Sequence, residues 1–344
     1  MAQINKPDEY FNTVLYTGNG STNAITGVNF QPDWTWIKNR SITANHHLFD
    51  VARGATKYIL TNSSNAEATD AQQLQSFDSD GFTVGTNGNV NGSGNNIVAW
   101  NWLASNTTAS NTDGSINSTV SANTTSGFSI VSYTGTGANA TVGHGLSSAP
   151  KMIIFKNTNS VRDWGVYHGS LSDPDNYLTL NQTYAQTTGF NFSNNTAPTS
   201  SVFSVGTLTN NNGSSEEYIA YCFAEKKGFS KFGSYTGNGS TDGTFIYTGF
   251  KPAFVMIKRT DTTNNWLMYD NKRDSDNIVG NILHPNLSNA QDIQTTANVY
   301  DFTSNGFKAR STYVATNASG GSYIYMAFAE SPLVGTNNIP ATAR

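Results

Sequence analysis

Phe254-Val255-Met256-Ile257-Lys258 is the stretch on which the fold turns, because it has two counterparts earlier in the chain. Met152-Ile153-Ile154-Phe155-Lys156 and Trp34-Thr35-Trp36-Ile37-Lys38 share its length, its β-branched and aromatic character and its final lysine. Each is short and flanked by turn formers, which reads as a strand. In all three the lysine falls six residues after a proline (Pro32, Pro150, Pro252), and eight residues further on stand His46, Trp164 and Trp266. Three beyond those come Phe49, Tyr167 and Tyr269. Upstream, Tyr-Thr-Gly opens each copy at 16–18, 133–135 and 235–237. Downstream, Asn62, Asn181 and Asn286 each precede an alanine by four residues, a Phe-led segment begins at Phe82, Phe203 and Phe307, and an apolar strand closes the copy. Repetition at fixed intervals marks one structural unit written several times.

Helix signals are nearly absent, whereas short strands punctuated by Gly and Asn abound. That pattern belongs to a sandwich or jelly roll. The closing strands, Ile97 to Ala104, Tyr218 to Glu225 and Tyr323 to Glu330, are apolar on both alternating faces, as in a central strand covered on both sides. The expected fold is therefore all-β, three tandem antiparallel β-sandwich domains over 1–104 (with an N-terminal arm), 127–225 and 229–334. Residues 105–126, rich in Ser, Thr and Asn, read as a linker or a solvent-exposed pairing strand, and 335–344 as a polar tail. Only Lys226, Lys227 and Gly228 separate the second and third copies, so a fixed angle between them is expected.

Composition narrows the function. Charged residues make up 12% of the 344, against about 25% in ordinary domains. With 19 basic and 23 acidic side chains, the chain offers no basic field to neutralise nucleic-acid phosphates or to hold an anionic membrane. No apolar run approaches the ~18 residues of a membrane-spanning helix. The polar first ten residues carry no secretory signal, so the Asn-x-Ser/Thr sequences at Asn62, Asn106 and Asn181 are not expected to be glycosylated. Cys222 is the single cysteine, which excludes an intrachain disulfide and a Cys-based zinc site; within an apolar run it reads as a small buried hydrophobe.

No catalytic constellation emerges. Glycoside hydrolysis needs two carboxyl groups facing each other across a cleft, but Glu216 and Glu217 are adjacent and would point to opposite faces of a strand. Glu225 and Glu330 end two closing strands where the first copy has Ala104. None of the five histidines recurs at an equivalent place in all copies, and His46 stands where the others have Trp, which suggests a packed ring. Thr17-Gly18-Asn19-Gly20-Ser21 lacks the lysine of a phosphate loop and reads as an Asn-Gly hairpin. The expectation is a protein without enzymatic activity or cofactor.

Binding remains open. Asp173-Pro174-Asp175 and Asp274-Ser275-Asp276 fall in corresponding loops and are weak calcium candidates, with a plain Asx turn as the alternative. Trp164 and Trp266, at fixed spacing, are expected in the core rather than on a sugar platform. Tyr184, Tyr300 and Tyr313 lie outside the repeat pattern in loop-like stretches and are the candidate carbohydrate-binding residues.

Ser132-Tyr133-Thr134-Gly135-Thr136-Gly137 leads to Gly143-His144-Gly145-Leu146 and Ala149-Pro150, and with it go Val98-Ala99-Trp100-Asn101-Trp102 and Asn5-Lys6-Pro7 before Tyr10-Phe11. In these motifs the chain resembles virion structural proteins of marine tailed phages. The resemblance implies concanavalin-A-like or laminin-G-like jelly rolls and a place in the virion, as a tail fibre, a tail appendage or a capsid decoration. Other virion proteins, host surface polysaccharide and copies of the chain itself, a trimer for a fibre, are the partners it implies; no catalytic residues come with it. A rod of three units would suit a fibre or a spike.

Overall fold

The computed structural model describes residues 3–336 and 340–342; the remainder of the expected C-terminal tail lies outside the described residues. The chain is nearly all β, built from antiparallel sheets in sandwich arrangement, with two four-residue α-helices and one 3-10 turn among the described residues. The three repeated stretches form the strands Trp34–Asn39, Met152–Asn157 and Phe250–Arg259. Each pairs with its closing strand in the same register: Trp34 faces Trp102, Met152 faces Phe223 and Phe254 faces Phe328. The closing strand lies in turn beside the Tyr-Thr-Gly strand, Phe11–Thr17, Phe128–Thr134 or Ser230–Thr236. Three large sheets result, one per lobe, of six, seven and four strands.

Alternation gives each large sheet two buried faces. In the first lobe Ile97 and Ala99 face a smaller sheet carrying Ile25, Phe82 and Val84. Equivalent private cores fill the second lobe, around Phe155, Phe203 and Cys222, and the third, around Ile257, Phe302 and Tyr325. The opposite faces, with Val98, Trp100 and Trp102, with Ile219, Tyr221 and Phe223, and with Ile324, Met326 and Phe328, join in a single cluster common to all three lobes. Rings from different lobes meet there: Trp34 stacks on Tyr221 at 4.6 Å and Phe11 on Phe328 at 5.0 Å. A rod is thus not what the sheets make. An apolar second face on every large sheet leaves three strips of hydrophobic surface, and mutual burial around one hub removes all of them from water.

The repeated lysines hold the lobes together. The Lys38 ammonium donates to the carbonyls of Asn39, Ala44 and, in the third lobe, Ser288. Lys156 donates to Asn157, Arg162 and, in the first lobe, Ser64; Lys258 donates to Arg259 and, in the second lobe, Thr183. The amides of Ala44, Arg162 and Asn264 reach the same three carbonyls across the junctions. Returning bonds run from the amides of Gln291, Glu67 and Gln186 to the carbonyls of Arg40, Thr158 and Thr260. First lobe grips third, second grips first, and third grips second: a head-to-tail contact that closes into a ring of three.

Other repeated residues set this geometry up. Asn62, Asn181 and Asn286 accept the backbone N–H of His46, Trp164 and Trp266, fixing the segment that carries each gripped carbonyl. Trp164 and Trp266 are fully buried, as expected, and their indole N–H groups donate to Leu60 and Ser63 of the first lobe and Thr179 of the second. His46 is also buried; its Nδ1 accepts from Trp36 within its own lobe. In Tyr-Thr-Gly, the tyrosines donate to the carbonyls of Val90, Asn211 and Thr316. The glycine is required by close approach: a Cβ on Gly18 would sit 2.2 Å from the carbonyl oxygen of Gly92.

Two expectations need correction or sharpening. Asn19-Gly20 is not a hairpin, since Phe11–Thr17 and Asn23–Ile25 belong to different sheets. Gly20 does take a positive φ of 69°, and the crossing is stitched by the buried Asn91 side chain, which accepts from the Asn19 amide and donates to the Ser21 carbonyl. Asn212 and Asn317 do the same for the other copies. Residues 105–126 supply the strands Ala109–Asn111 and Ser118–Asn123, which extend the second sheet. Asp33 anchors that segment by accepting the amides of Ala104 and Asn106, and burial pushes its carboxyl up to about 7.

Candidate binding clefts at the lobe junctions

The tyrosines expected to meet sugar separate into two kinds. Tyr184 and Tyr313 are exposed, each on a segment tied to a lobe junction or loop: Thr183, beside Tyr184, is gripped by Lys258, and Val314, beside Tyr313, accepts from Arg259. Tyr300 is a correction. It is fully buried in the third lobe's core, with its hydroxyl bonded to that of Tyr235 at 2.7 Å, because it begins the paired strand Tyr300–Thr303 and points inward. It has no free face to offer a ligand.

The aspartates of the two candidate calcium loops are engaged with the protein. Asp173 accepts the Asp175 amide in an Asx turn, and Asp175 accepts from the amides of Ser193 and Asn195. Asp274 accepts from the amides of Gly280 and Asn281, and Asp276 from the Ser275 hydroxyl. No cluster of three or more metal-ligating side chains occurs among the described residues. Glu216 is paired with Arg162 at 2.6 Å and also accepts from Asn157 and Tyr218, which holds its carboxyl below the usual range.

Openings sit at all three lobe junctions; the smallest, about 240 Å³, lies between the first and third lobes beside Phe11, Ala253 and Glu330. Between the first and second lobes lies a polar cleft of about 420 Å³ walled by Arg53, Lys57, Glu67 and Glu217 and by the hydroxyls of Thr119, Ser132, Thr134 and Thr158. Its charges are largely spoken for: Glu67 bonds both Arg53 and Lys57, and Arg53 also reaches Asp50 at 2.6 Å. The aromatic rings on its wall, Tyr133 and Tyr218, are buried.

Between the second and third lobes is a larger opening of about 670 Å³. It combines Tyr247, Leu333 and Val334 with the hydroxyls of Ser148, Ser230 and Thr248, and with Lys151, Lys226, Lys227 and Lys231. Glu225 is the acidic residue of this wall, and it pairs with Lys231 at 2.8 Å. Four of the 19 basic side chains of an acidic protein thus border one opening. Overall composition conceals this local surplus, because the lysines come from two distant stretches of chain. Tyr247, 58% exposed on the edge strand Phe245–Tyr247, escaped the sequence reading as well; its only signal is an aromatic pair, Phe245 and Tyr247, on the outward face of a short strand.

Comparison with known proteins adds a family without a described activity. No curated protein and no solved structure matches the chain. A family model described as a domain of unknown function, DUF7483, matches residues 6–332, a span that takes in all three lobes and their shared hub as one unit. The chain belongs to the DUF7483 family.

Proposed function

We propose that this protein is a non-enzymatic structural component of a virion, placed in a tail fibre or other appendage, where it contacts glycan of the host surface. The observation that carries the reading is the ring of lobes clasped by repeated lysine–carbonyl contacts, with its openings at the junctions. Such a body presents several loops and clefts from one rigid frame, which suits recognition. Its ionisable groups support a binding role over catalysis: Glu67 and Glu216 are tied up in ion pairs, and the fully buried Cys222 thiol is inert. The resemblance of its motifs to those of marine phage virion proteins supports that placement. A compact three-lobed body fits the tip of an appendage better than its shaft, and association with other virion proteins and with further copies of the chain belongs to the same proposal.

The test is binding of the purified full chain to immobilised host surface polysaccharide and to a glycan array. Capture that fails with every glycan, while the chain is folded, overturns the glycan role. A second reading, capsid decoration or an adaptor of purely architectural role, draws on a separate observation. Residues 3–5 and 333–336 lie side by side, with Gln3 donating to the Val334 carbonyl and Asn5 to the Thr336 hydroxyl. Such a paired strand of chain is a ready docking element. Loss of particle incorporation on removing residues after Gly335, with the fold intact, favours it.

A further inference from the structure

Four lysines of this chain are buried, and three of them hold two or three backbone carbonyls each. Lys38 and Lys156 each donate to three backbone carbonyls and Lys258 to two. Lys226 is the exception. It is 8% exposed, yet its ammonium has a single hydrogen bond, to the Ser148 hydroxyl at 3.5 Å, and no ion pair among the described residues. An ammonium has three N–H donors, so a buried one with a single long bond leaves donor capacity unused at a cost in free energy. Burial accordingly lowers the Lys226 pKa. The side chain lines the 670 Å³ opening between the second and third lobes, and its one hydrogen-bond partner, Ser148, lines it too.

The rest of that opening says what would complete it. Lys151 and Lys227 are exposed, line the same wall and form no ion pair among the described residues, so the site carries an uncompensated positive charge. Tyr247 is exposed and lines the opening together with Leu333 and Val334. The volume falls within the ~300–1,000 Å³ of small-molecule sites. Charged donors, hydroxyls and an aromatic ring in one opening match the chemistry of a ring that is apolar on one side, hydroxylated at its edge and anionic at one substituent.

The geometry points to a site for a carboxylated sugar, a uronic acid residue, with its carboxylate on Lys226 and its ring against Tyr247. This inference rests on the glycan-contacting reading and specifies both its location and the ligand class. A bare anion would use the lysines but not Tyr247, and a neutral sugar would use Tyr247 but leave Lys226 unanswered.

The test is calorimetric titration of the full chain with a galacturonic acid disaccharide, the corresponding neutral galactose disaccharide and inorganic phosphate. The expected result is binding of the acidic disaccharide at least tenfold tighter than either of the others, weakened by added salt. Lys226→Met and Tyr247→Ala should each weaken it about tenfold or more. Melting temperatures report whether Lys226→Met folds; Tyr247→Ala, at an exposed position, tests the site independently. Equal affinity for the neutral disaccharide, equal affinity for phosphate, or unchanged binding by folded variants overturns the inference. Capture of host polysaccharide that survives both substitutions would refute this site while leaving the glycan reading standing; absence of capture by any glycan removes both.

Discussion

Lys38→Met tests the ring closure directly, because Lys38 joins the first lobe to the third, the contact that a linear succession of domains would not make. Its ammonium is fully buried and bonded to Asn39 at 2.9 Å, Ala44 at 2.8 Å and Ser288 at 3.2 Å. Hydrogen bonds from a charged donor contribute about 1.5–3 kcal/mol each, so three amount to roughly 5–9 kcal/mol. Against this stands the cost of burying the charge. Burial lowers the lysine from 10.5 to about 8, equivalent to about 3 kcal/mol. The difference is roughly 2–6 kcal/mol. Met fills most of the space, and the Ser288 carbonyl keeps its bond from the Ala44 amide at 2.8 Å, which places the expected loss near 3 kcal/mol. Urea unfolding followed by tryptophan fluorescence and by far-UV circular dichroism measures it. The six tryptophans are buried in the common hub, so fluorescence reports the assembly, whereas dichroism reports every sheet. The expected outcome is one coincident transition at lower urea with unchanged slope. A loss below about 0.5 kcal/mol, or a third lobe that unfolds on its own, refutes the argument.

Stability should fall as pH drops from 6.5 toward 4. Burial holds His47 and His168 at about 4, so between pH 4 and 6.5 the unfolded chain takes up protons that the folded chain refuses, at a cost approaching 3 kcal/mol each. Protonating His168 at Nδ1 would also expel the Ser170 amide that it accepts. Asp33, raised to about 7, opposes this in the same window by keeping a proton the unfolded chain releases; these three groups leave a loss of roughly 2 kcal/mol. His46, His144 and His284, also lowered by burial, add to it, and a flat urea-midpoint profile would contradict neutral burial of the histidines. Asn181→Ala removes the acceptor of the Trp164 amide and the donor to Asp163, and should cost about 1–3 kcal/mol, whereas Asn65→Ala, at an exposed position outside the repeat pattern, should fall within about 0.5 kcal/mol of the parent. Tyr300→Ala should cost about 3–5 kcal/mol in the same assay, and Tyr184→Ala almost nothing, reversing any expectation that both serve a ligand.

The strands were legible because their side chains state both period and burial. The closing strands, apolar on both faces, already implied a layer on each side, and the structure places a private core on one and the hub on the other. What covers the second face was not legible, since a strip of apolar residues is equally served by another sheet, another chain or another lobe. The candidate site was less legible still. Tyr300 breaks the repeat pattern yet lies on a paired strand, so departure from the pattern did not mean exposure. Lys226 stood in what read as a mere connection of three residues, and its significance comes from partners it lacks, which no sequence pattern records.

The intervals themselves carry more than they first disclose. Each repeated lysine grips a carbonyl two residues beyond the repeated asparagine (Asn62, Asn181 or Asn286) of a neighbouring copy. Spacing that looks like the internal grammar of a domain is therefore a record of contacts between domains. A single unit cut from the chain would keep its private core and expose its share of the hub. Residues as large as Trp34, Trp100 and Trp102 would then face water, together with a lysine whose carbonyl cage is missing one wall. Burial of each large aromatic is worth about 1.5–3 kcal/mol, so losing several at once rivals the ~5–15 kcal/mol that holds an ordinary domain together. These magnitudes predict that the ring of three folds as one unit, so an excised copy should not fold alone.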